Sequence, residues 1–406
     1  MVKPERRTKG DLLAAAAILV VVVVTAALIW WTSDARPTIS RPAATPAPNP
    51  SLVREVPGSL KQLWTADSSA STAPVIVGGT VVTAEGREVT GRDPGTGQTR
   101  WSYARDTELC GLSWVYHYAV AVYRDDRGCG QVSTIDGSTG RRGPARSSYA
   151  DPQVHLSSDG TTVLSVGDTR LELWRSDLVR MLAYGETDAR VKPSARGLHS
   201  GCTLHSGAAS SLAVSVLETC ANQADLRLAL LRPGKEDDEP QQHFVAEPRL
   251  RPNSGAQVLT VWQSNTAVYL PGVSGTQPRV EVIDETGTTV GSTLLPKVPS
   301  KSAVSQAGNL VTWWTGDSVL VFEASSLTLR YTIAAGPQTV PLGPGTMMAG
   351  KLLVPVTGAI GVYDPVTGAN ERYIPVHRTP SDAPVVPAVS GSRVFEQRGD
   401  SVVGLG

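Results

Sequence analysis

Four cysteines fall into two pairs of nearly equal spacing: Cys110 and Cys129 are 19 apart, Cys202 and Cys220 are 18 apart. Cysteines so placed either ligate metal as thiolates or close disulfides. The second pair lies in His199-Ser200-Gly201-Cys202-Thr203-Leu204-His205, and zinc takes Cys and His ligands at such close spacing. The first pair repeats the placement without histidines. The disulfide reading therefore covers both pairs and the metal reading only one. In each pair the first cysteine opens a candidate first strand and the second lies near the end of a candidate second strand. Those ends are neighbours in an antiparallel hairpin, which favours Cys110–Cys129 and Cys202–Cys220 among the three connectivities four cysteines allow. His117, His155, His243 and His377 are scattered. The run Glu236-Asp237-Asp238-Glu239 lacks the alternating ligand spacing and glycine of a calcium loop, and reads as a solvated turn. No G-x-S-x-G is present and no Ser/His/Asp set can be assembled. The sequence thus points to no enzyme, no cofactor and no metal.

The elements that position these residues are repeats. A D-x-x-T-G motif recurs as Asp93-Pro94-Gly95-Thr96-Gly97, Asp136-Gly137-Ser138-Thr139-Gly140 and Asp364-Pro365-Val366-Thr367-Gly368. Recurrence at blade-like intervals marks a repeat architecture. In the clearest unit, Thr72 to Tyr103, four short apolar runs are separated by Gly78-Gly79, Glu85-Gly86 and the Asp93 turn, which predicts the four antiparallel strands of one propeller blade. Further units cover Cys110–Ala145, Val154–Ala183, Cys202–Val245, Gln257–Leu295, Ala303–Ile333 and Pro341–Val376. In the third, Trp174-Arg175-Ser176-Asp177 replaces the motif; the fourth carries the acidic insertion. A last unit begins at Ala383-Pro384-Val385 and reaches Gly406, the position of Asp93, without a fourth strand. Leu60 to Thr65 resembles an outer strand and would complete it, leaving no bare blade edge. The expectation is an all-β, eight-bladed propeller over residues 60–406, with 60–66 pairing into the C-terminal blade. Seven blades is the alternative, since the third and fourth units are weak. In the motif residues, Asp and Thr cap the turn and Gly supplies a conformation other residues resist, so their role is structural.

Residues 12–31 form an apolar run of 20, long enough for a helix to span the roughly 30 Å of a bilayer's hydrocarbon. Lys3, Arg6, Arg7 and Lys9 precede it against Glu5 and Asp11, which places residues 1–11 in the cytoplasm and the propeller outside. The run is longer than a signal-peptide core and ends in Trp30-Trp31, so an uncleaved single-pass anchor is expected. Residues 32–59, with Pro37, Pro42, Pro46, Pro48, Pro50 and Pro57, read as an extended linker that buries no core and spaces the domain from the membrane. Lys+Arg and Asp+Glu both number 37, and this balance argues against a nucleic-acid partner.

The pattern A-P-V…G-x-V-V…G…D-x-x-T-G-x-x-x-W, with Thr96-Gly97 followed by Trp101, resembles the quinoprotein-type (PQQ-like) β-propeller repeat. The anchored layout is similar to that of single-pass propeller proteins of actinobacteria. The resemblance implies that Trp101 packs against the neighbouring blade. It also implies a non-enzymatic scaffold binding envelope proteins in cell-envelope assembly, maintenance or division. A quinoprotein dehydrogenase is disfavoured, because its family holds the quinone beneath a disulfide of adjacent cysteines and this chain has no adjacent pair. An extracytoplasmic ligand sensor is the other alternative.

Overall fold

A computed structural model of the protein describes residues 8–33, 36–187, 201–221, 223–247, 249–273, 275–380 and 382–406. Short Val-, Leu- and Thr-rich runs punctuated by glycine turns fold as meanders, and eight four-stranded antiparallel sheets result. In chain order the blades are Val75–Ala104, Leu109–Ser147, His155–Gly185, Cys202–Ala246, Gln257–Leu294, Ala303–Ile333, Thr346–Pro375 and Val386–Leu405, the last completed by Gln62–Asp67. The count is eight. Units three and four, poor in the motif, still form complete four-stranded sheets, with one register shift in each, between Leu173 and Trp174 and between Leu204 and Ser206.

Burial follows position in the blade. The second strand of blade 3, Thr162–Val166, and the third of blade 7, Ala359–Tyr363, are buried at every residue, because neighbouring blades cover both faces. The outermost strand of blade 7, Asn370–Pro375, buries only Ile374. The core is accordingly a series of clusters between adjacent blades, such as Val82, Trp101, Tyr103, Tyr123 and Ile135 between blades 1 and 2.

A meander of four strands gives the ring two faces. One carries the hairpins joining strands one and two and the Asp turns joining strands three and four; we call it the turn face. The other carries the hairpins joining strands two and three and the blade-to-blade connections, and is the link face.

Gln62–Asp67 pairs antiparallel with Ser401–Leu405, and Lys61 and Gly406 exchange backbone hydrogen bonds of 3.0 Å in both directions. The ring thus closes by joining the two ends of the propeller within one sheet.

The proline-rich segment differs from its sequence expectation. It does not stand off as a spacer over 32–59. Ile39–Arg41 adds a fifth strand to the outer edge of blade 1, with Ile39 opposite Ala104 and Arg41 opposite Ser102. The chain then crosses the turn face. The amides of Ala43 and Ala47 donate to Thr139 O and Ser138 O of blade 2, both at 2.9 Å. The Pro48 carbonyl lies so close to Gly79 that a Cβ there would sit 2.2 Å from it. Ala47, Val56 and Leu60 are buried, and Val56 and Leu60 join a cluster with Ile374 of blade 7 and Val394 of blade 8. Prolines make this strap look like a spacer in sequence. Physically they supply a pre-extended chain with few amide donors to satisfy, which suits a segment laid over loops.

The N-terminal helix runs Lys9–Thr32, with none of its residues buried, and is apolar and long enough to cross a membrane. Only Ser33 to Thr38 lie between it and the first docked strand.

Candidate interaction face and the sites that join the blades

Each repeated Asp organises its own turn. Asp93 Oδ1 accepts hydrogen bonds from the amides of Gly95 (2.9 Å) and Thr96 (3.1 Å), and Asp136 and Asp364 each accept from the amide and hydroxyl of Thr139 and Thr367. The following glycine amide returns to the Asp carbonyl, at 2.9 Å for Gly97, 2.8 Å for Gly140 and 2.9 Å for Gly368. Partial burial opposes ionisation of Asp93 and Asp136, yet the donors, with Arg100 beside Asp93 and His117 near Asp136, outweigh it and hold both carboxyls below the usual range. At Asp364 the Thr367 amide is the leading cause of the same lowering.

The glycine does a second job. Trp101 is almost wholly buried, its indole N–H donates to Gly137 O at 2.7 Å, and a Cβ on Gly140 would lie 2.4 Å from Trp101 Cβ. The ring is sandwiched, since Gly91, its cross-strand neighbour in blade 1, would clash with it in the same way. Trp64 of blade 8 repeats the arrangement between Gly404 and Gly97, its indole donating to Pro94 O at 3.1 Å. Tyr331 of blade 6 lies on Gly368 and donates to Pro365 O at 2.9 Å, and His243 of blade 4 lies against Gly287. Sequence reasoning found Trp101 and missed Trp64, Tyr331 and His243. For Tyr331 a signal existed: it follows Glu323 by eight positions, as Trp101 follows Asp93.

Where the aromatic is missing, the glycine is missing too. Blade 2 offers Pro144 at the docking position, and the turn of blade 3 puts buried Leu178 where the glycine would be, at φ 61°. Blade 5 offers Gly291, and the turn of blade 6 puts buried Leu327 there, at φ 56°. Leu178 packs with Val132 and Trp174, and Leu327 with Val280 and Val282. At the junction of blades 7 and 8 the docking position is Arg372, which donates to Val56 O at 2.6 Å, so the strap stands in for the absent Asp turn.

Buried charge joins other blades. Glu172 of blade 3 takes Arg170 (2.6 Å), Arg180 (3.2 Å), Arg146 of blade 2 (3.2 Å) and the Trp174 indole (2.8 Å). Burial opposes its ionisation, but Arg170, Arg146 and Trp174 outweigh it and keep the carboxyl below the usual range. Tyr184 of blade 3 donates to Glu218 of blade 4 at 2.9 Å, beside Arg227 at 2.7 Å. Arg378 bridges carbonyls of Val356 and Ala359 in blade 7 to Glu396 in blade 8, with both charged side chains essentially inaccessible.

Both cysteine pairs are disulfides on the link face: Cys110–Cys129 and Cys202–Cys220. Cys202 and Cys220 face each other across strands one and two of blade 4. Cys129 departs from the expected position, because it opens the third strand of blade 2 rather than closing the second. A bulge between Leu109 and Gly111 turns Cys110 out of register and lets the bridge pass over the second strand. Cys202, Glu218 and Cys220 bring three ligand-type atoms within 4.8 Å of one another, but the sulfurs are bonded together and Glu218 is already paired. His205 is held by Thr219 at 2.9 Å, and burial lowers its pKa against the opposing pull of Asp168. His199 lies outside the described residues.

The turn face is divided in two. The strap runs over blades 1 and 8, from the Asp turn of blade 2 to blade 7. On blades 2 to 4 the same face exposes Trp114 (37%), Tyr116 (58%), Val179 (51%) and Leu212 (57%). Large apolar side chains held out to water on rigid loops are what a protein-binding surface presents.

The chain matches no family model, and no curated protein matches it. Solved structures share its fold. BamB from Moraxella catarrhalis is 15% identical with a TM-score of 0.50, covering 85% of this chain and 99% of its own. The C-terminal WD40 domain of Sif2 is 10% identical with a TM-score of 0.52, covering 86% and 99%. Sqt1 from Saccharomyces cerevisiae is 9% identical with a TM-score of 0.50, covering 89% and 98%. At such identities the likeness is one of fold: an eight-bladed propeller resembling BamB and WD40 domains.

Proposed function

We propose that this protein is a membrane-anchored, extracytoplasmic scaffold that binds envelope proteins through its turn face and carries out no chemistry of its own. The observation that carries this reading is the exposed set Trp114, Tyr116, Val179 and Leu212 on the half of that face the strap leaves open. The N-terminal helix supports the anchor. Ile39 lies at the link-face end of blade 1, so the tether enters from that side and an anchored ring turns its open face away from the bilayer. The service is in envelope assembly, maintenance or division, in keeping with the repeat resemblance and the BamB-like fold.

In-cell crosslinking of the tagged full-length chain, read by mass spectrometry against a chain truncated after the helix, tests it. The expected result is one enriched envelope protein whose recovery falls at least about tenfold in the Trp114→Ala, Tyr116→Ala variant, since central aromatic anchors are each worth on the order of 2 kcal/mol. Enrichment that survives this double substitution would reject the turn face as the binding surface.

A further inference from the structure

The geometry points to a binding site for an organic cation, an ammonium or guanidinium group on an aliphatic stem, at the link-face end of blade 4. The site lies on the face opposite the apolar patch and does not depend on it. A cavity of about 390 Å³ opens there, between the turn that precedes Arg227–Arg232 and the end of the outermost strand, Gln241–Ala246. Carbon surfaces of Ala224, Leu226, Phe244 and Ala246 make up most of its wall, and Glu247 stands among them. Glu247 is only 8% exposed. Among the described residues nothing donates a hydrogen bond to its carboxylate, and the charges that reach it are Glu281 and Arg279 of blade 5.

The other charged residues lining the cavity already have partners. Asp225 accepts from the Arg249 amide at 3.1 Å and lies 3.6 Å from Arg251 Nε. Arg227 pairs with Glu218 at 2.7 Å and lies over the Phe244 ring, 4.2 Å from its centre. Behind Glu247, Arg279 is held by Glu281 at 2.5 Å. One buried carboxylate is left over, and ionising it without a partner is costly. A metal ion does not answer this need. Calcium takes about six to eight oxygen ligands and magnesium a near-octahedral set, whereas this cavity surrounds one unpaired carboxylate with carbon. An ammonium or guanidinium supplies both the missing charge and the hydrogen-bond donors, and its aliphatic stem covers the apolar wall.

The test follows the melting temperature of the full-length chain in non-ionic detergent at pH 8, where the Glu247 carboxyl, with its pKa pushed up to about 7, is ionised. n-Butylammonium chloride is titrated against sodium chloride at equal ionic strength. The expected result is a saturating rise with n-butylammonium that n-butanol, which has the same stem without the charge, does not give. Glu247→Gln should weaken the apparent affinity at least about tenfold, the usual loss for a hydrogen bond to a charged group. This variant keeps the fold, since the amide is the same size and has no charge to bury. Glu55→Gln, at an exposed carboxylate on the strap, should leave the affinity unchanged. No rise with n-butylammonium, equal rises in the wild type and Glu247→Gln, or an equal rise with n-butanol overturns the cation site. Calcium chloride acting through Glu247 where n-butylammonium does nothing overturns the organic class and leaves a metal ion. Where n-butylammonium binds, a blocked peptide with a single lysine separates the sources. Tighter binding of the peptide supports the site as a pocket for a protein side chain; exclusion of the peptide supports it as a pocket for a soluble amine.

Discussion

Between blades 1 and 2 the filling side chain comes from the outgoing blade, as Trp101 lies on Gly140; between blades 2 and 3 it comes from the incoming one, as Leu178 rises from the turn beyond Pro144. The same inversion recurs at Leu327 opposite Gly291. What the ring keeps constant is the volume filled between blades, and the D-x-x-T-G-x-x-x-W pattern is only one way of supplying it. The inverted form requires a leucine at positive φ, where glycine is at ease, so packing outweighs local backbone preference there. The junctions flanking blade 3 add buried ion clusters, Glu172 on one side and Glu218 on the other. Those next to blade 1 rely on aromatic rings.

The strongest way to break this comparison is Trp101→Ala. It empties the space between Gly91 and Gly140 and removes one of the two donors to Gly137 O, leaving the Thr80 hydroxyl at 2.9 Å. A loss of about 3–5 kcal/mol is expected in denaturant unfolding, the range for large aromatic truncations in a core. Leu178→Ala should lose slightly less, about 2–4 kcal/mol, because a smaller volume is vacated. A Trp101→Ala loss below that of Leu178→Ala would mean that the glycines collapse onto each other and that volume is not the conserved quantity.

Glu172→Gln tests the charged mode. The amide is the same size, but Arg146 and Arg170 lose the carboxylate their side chains pair with, and Arg180 keeps Asp237. Breaking a buried pair from one side costs about 3 kcal/mol, since the stranded charges stay desolvated. Adding Arg146→Met should recover part of that loss, because it removes one stranded charge, and a double-mutant cycle reads the coupling. Strict additivity would mean that Arg146 is held by Leu178 O and Trp174 rather than by Glu172.

The two modes differ in how far the sequence discloses them. Glycine turns and an Asp eight positions before an aromatic are local signals, so the repeat architecture, the closure by Gln62–Asp67 and the role of Trp101 can be read directly, while the weak third and fourth units leave seven blades open beside eight. Ion clusters have no such period. Arg378 and Glu396 are 18 residues apart and meet because a blade connection folds back over the link face. Leu178 and Leu327 hide in turns that look like failed motifs. The strap is the least legible, since prolines suit a free spacer and a docked extended chain alike, and it is the pairing of Ile39–Arg41 with blade 1, the amide bonds of Ala43 and Ala47 and the close approach of Pro48 to Gly79 that separate them. The open patch on the turn face is illegible for a related reason: Trp114, Tyr116, Val179 and Leu212 lie on three different blades.

Glu247 supplies the smallest test, because it is a buried carboxylate that the charged mode leaves uncompensated. It follows the outer strand of blade 4 and is 8% exposed. Burial, then the nearby charge of Glu281, push its pKa up to about 7, against a smaller opposing pull from Arg279. Arg279 is already committed to Glu281 at 2.5 Å. The folded pKa exceeds the usual 4.5, so the folded state binds the extra proton. Its contribution to stability is therefore fully present below about pH 4.5 and is lost as pH rises through 7. Glu247→Gln removes that dependence. The variant should match the wild type near pH 4 and exceed it at pH 8 by on the order of 2 kcal/mol, since a tenfold difference in proton affinity between the folded and unfolded states is worth about 1.4 kcal/mol. Glu172, with its pKa lowered, should show the opposite slope: its contribution is lost as pH falls. Parallel stability curves for Glu247→Gln and the wild type between pH 5 and 8 would show that Glu247 finds a cation or water in solution and that the blade 4–5 junction is compensated after all.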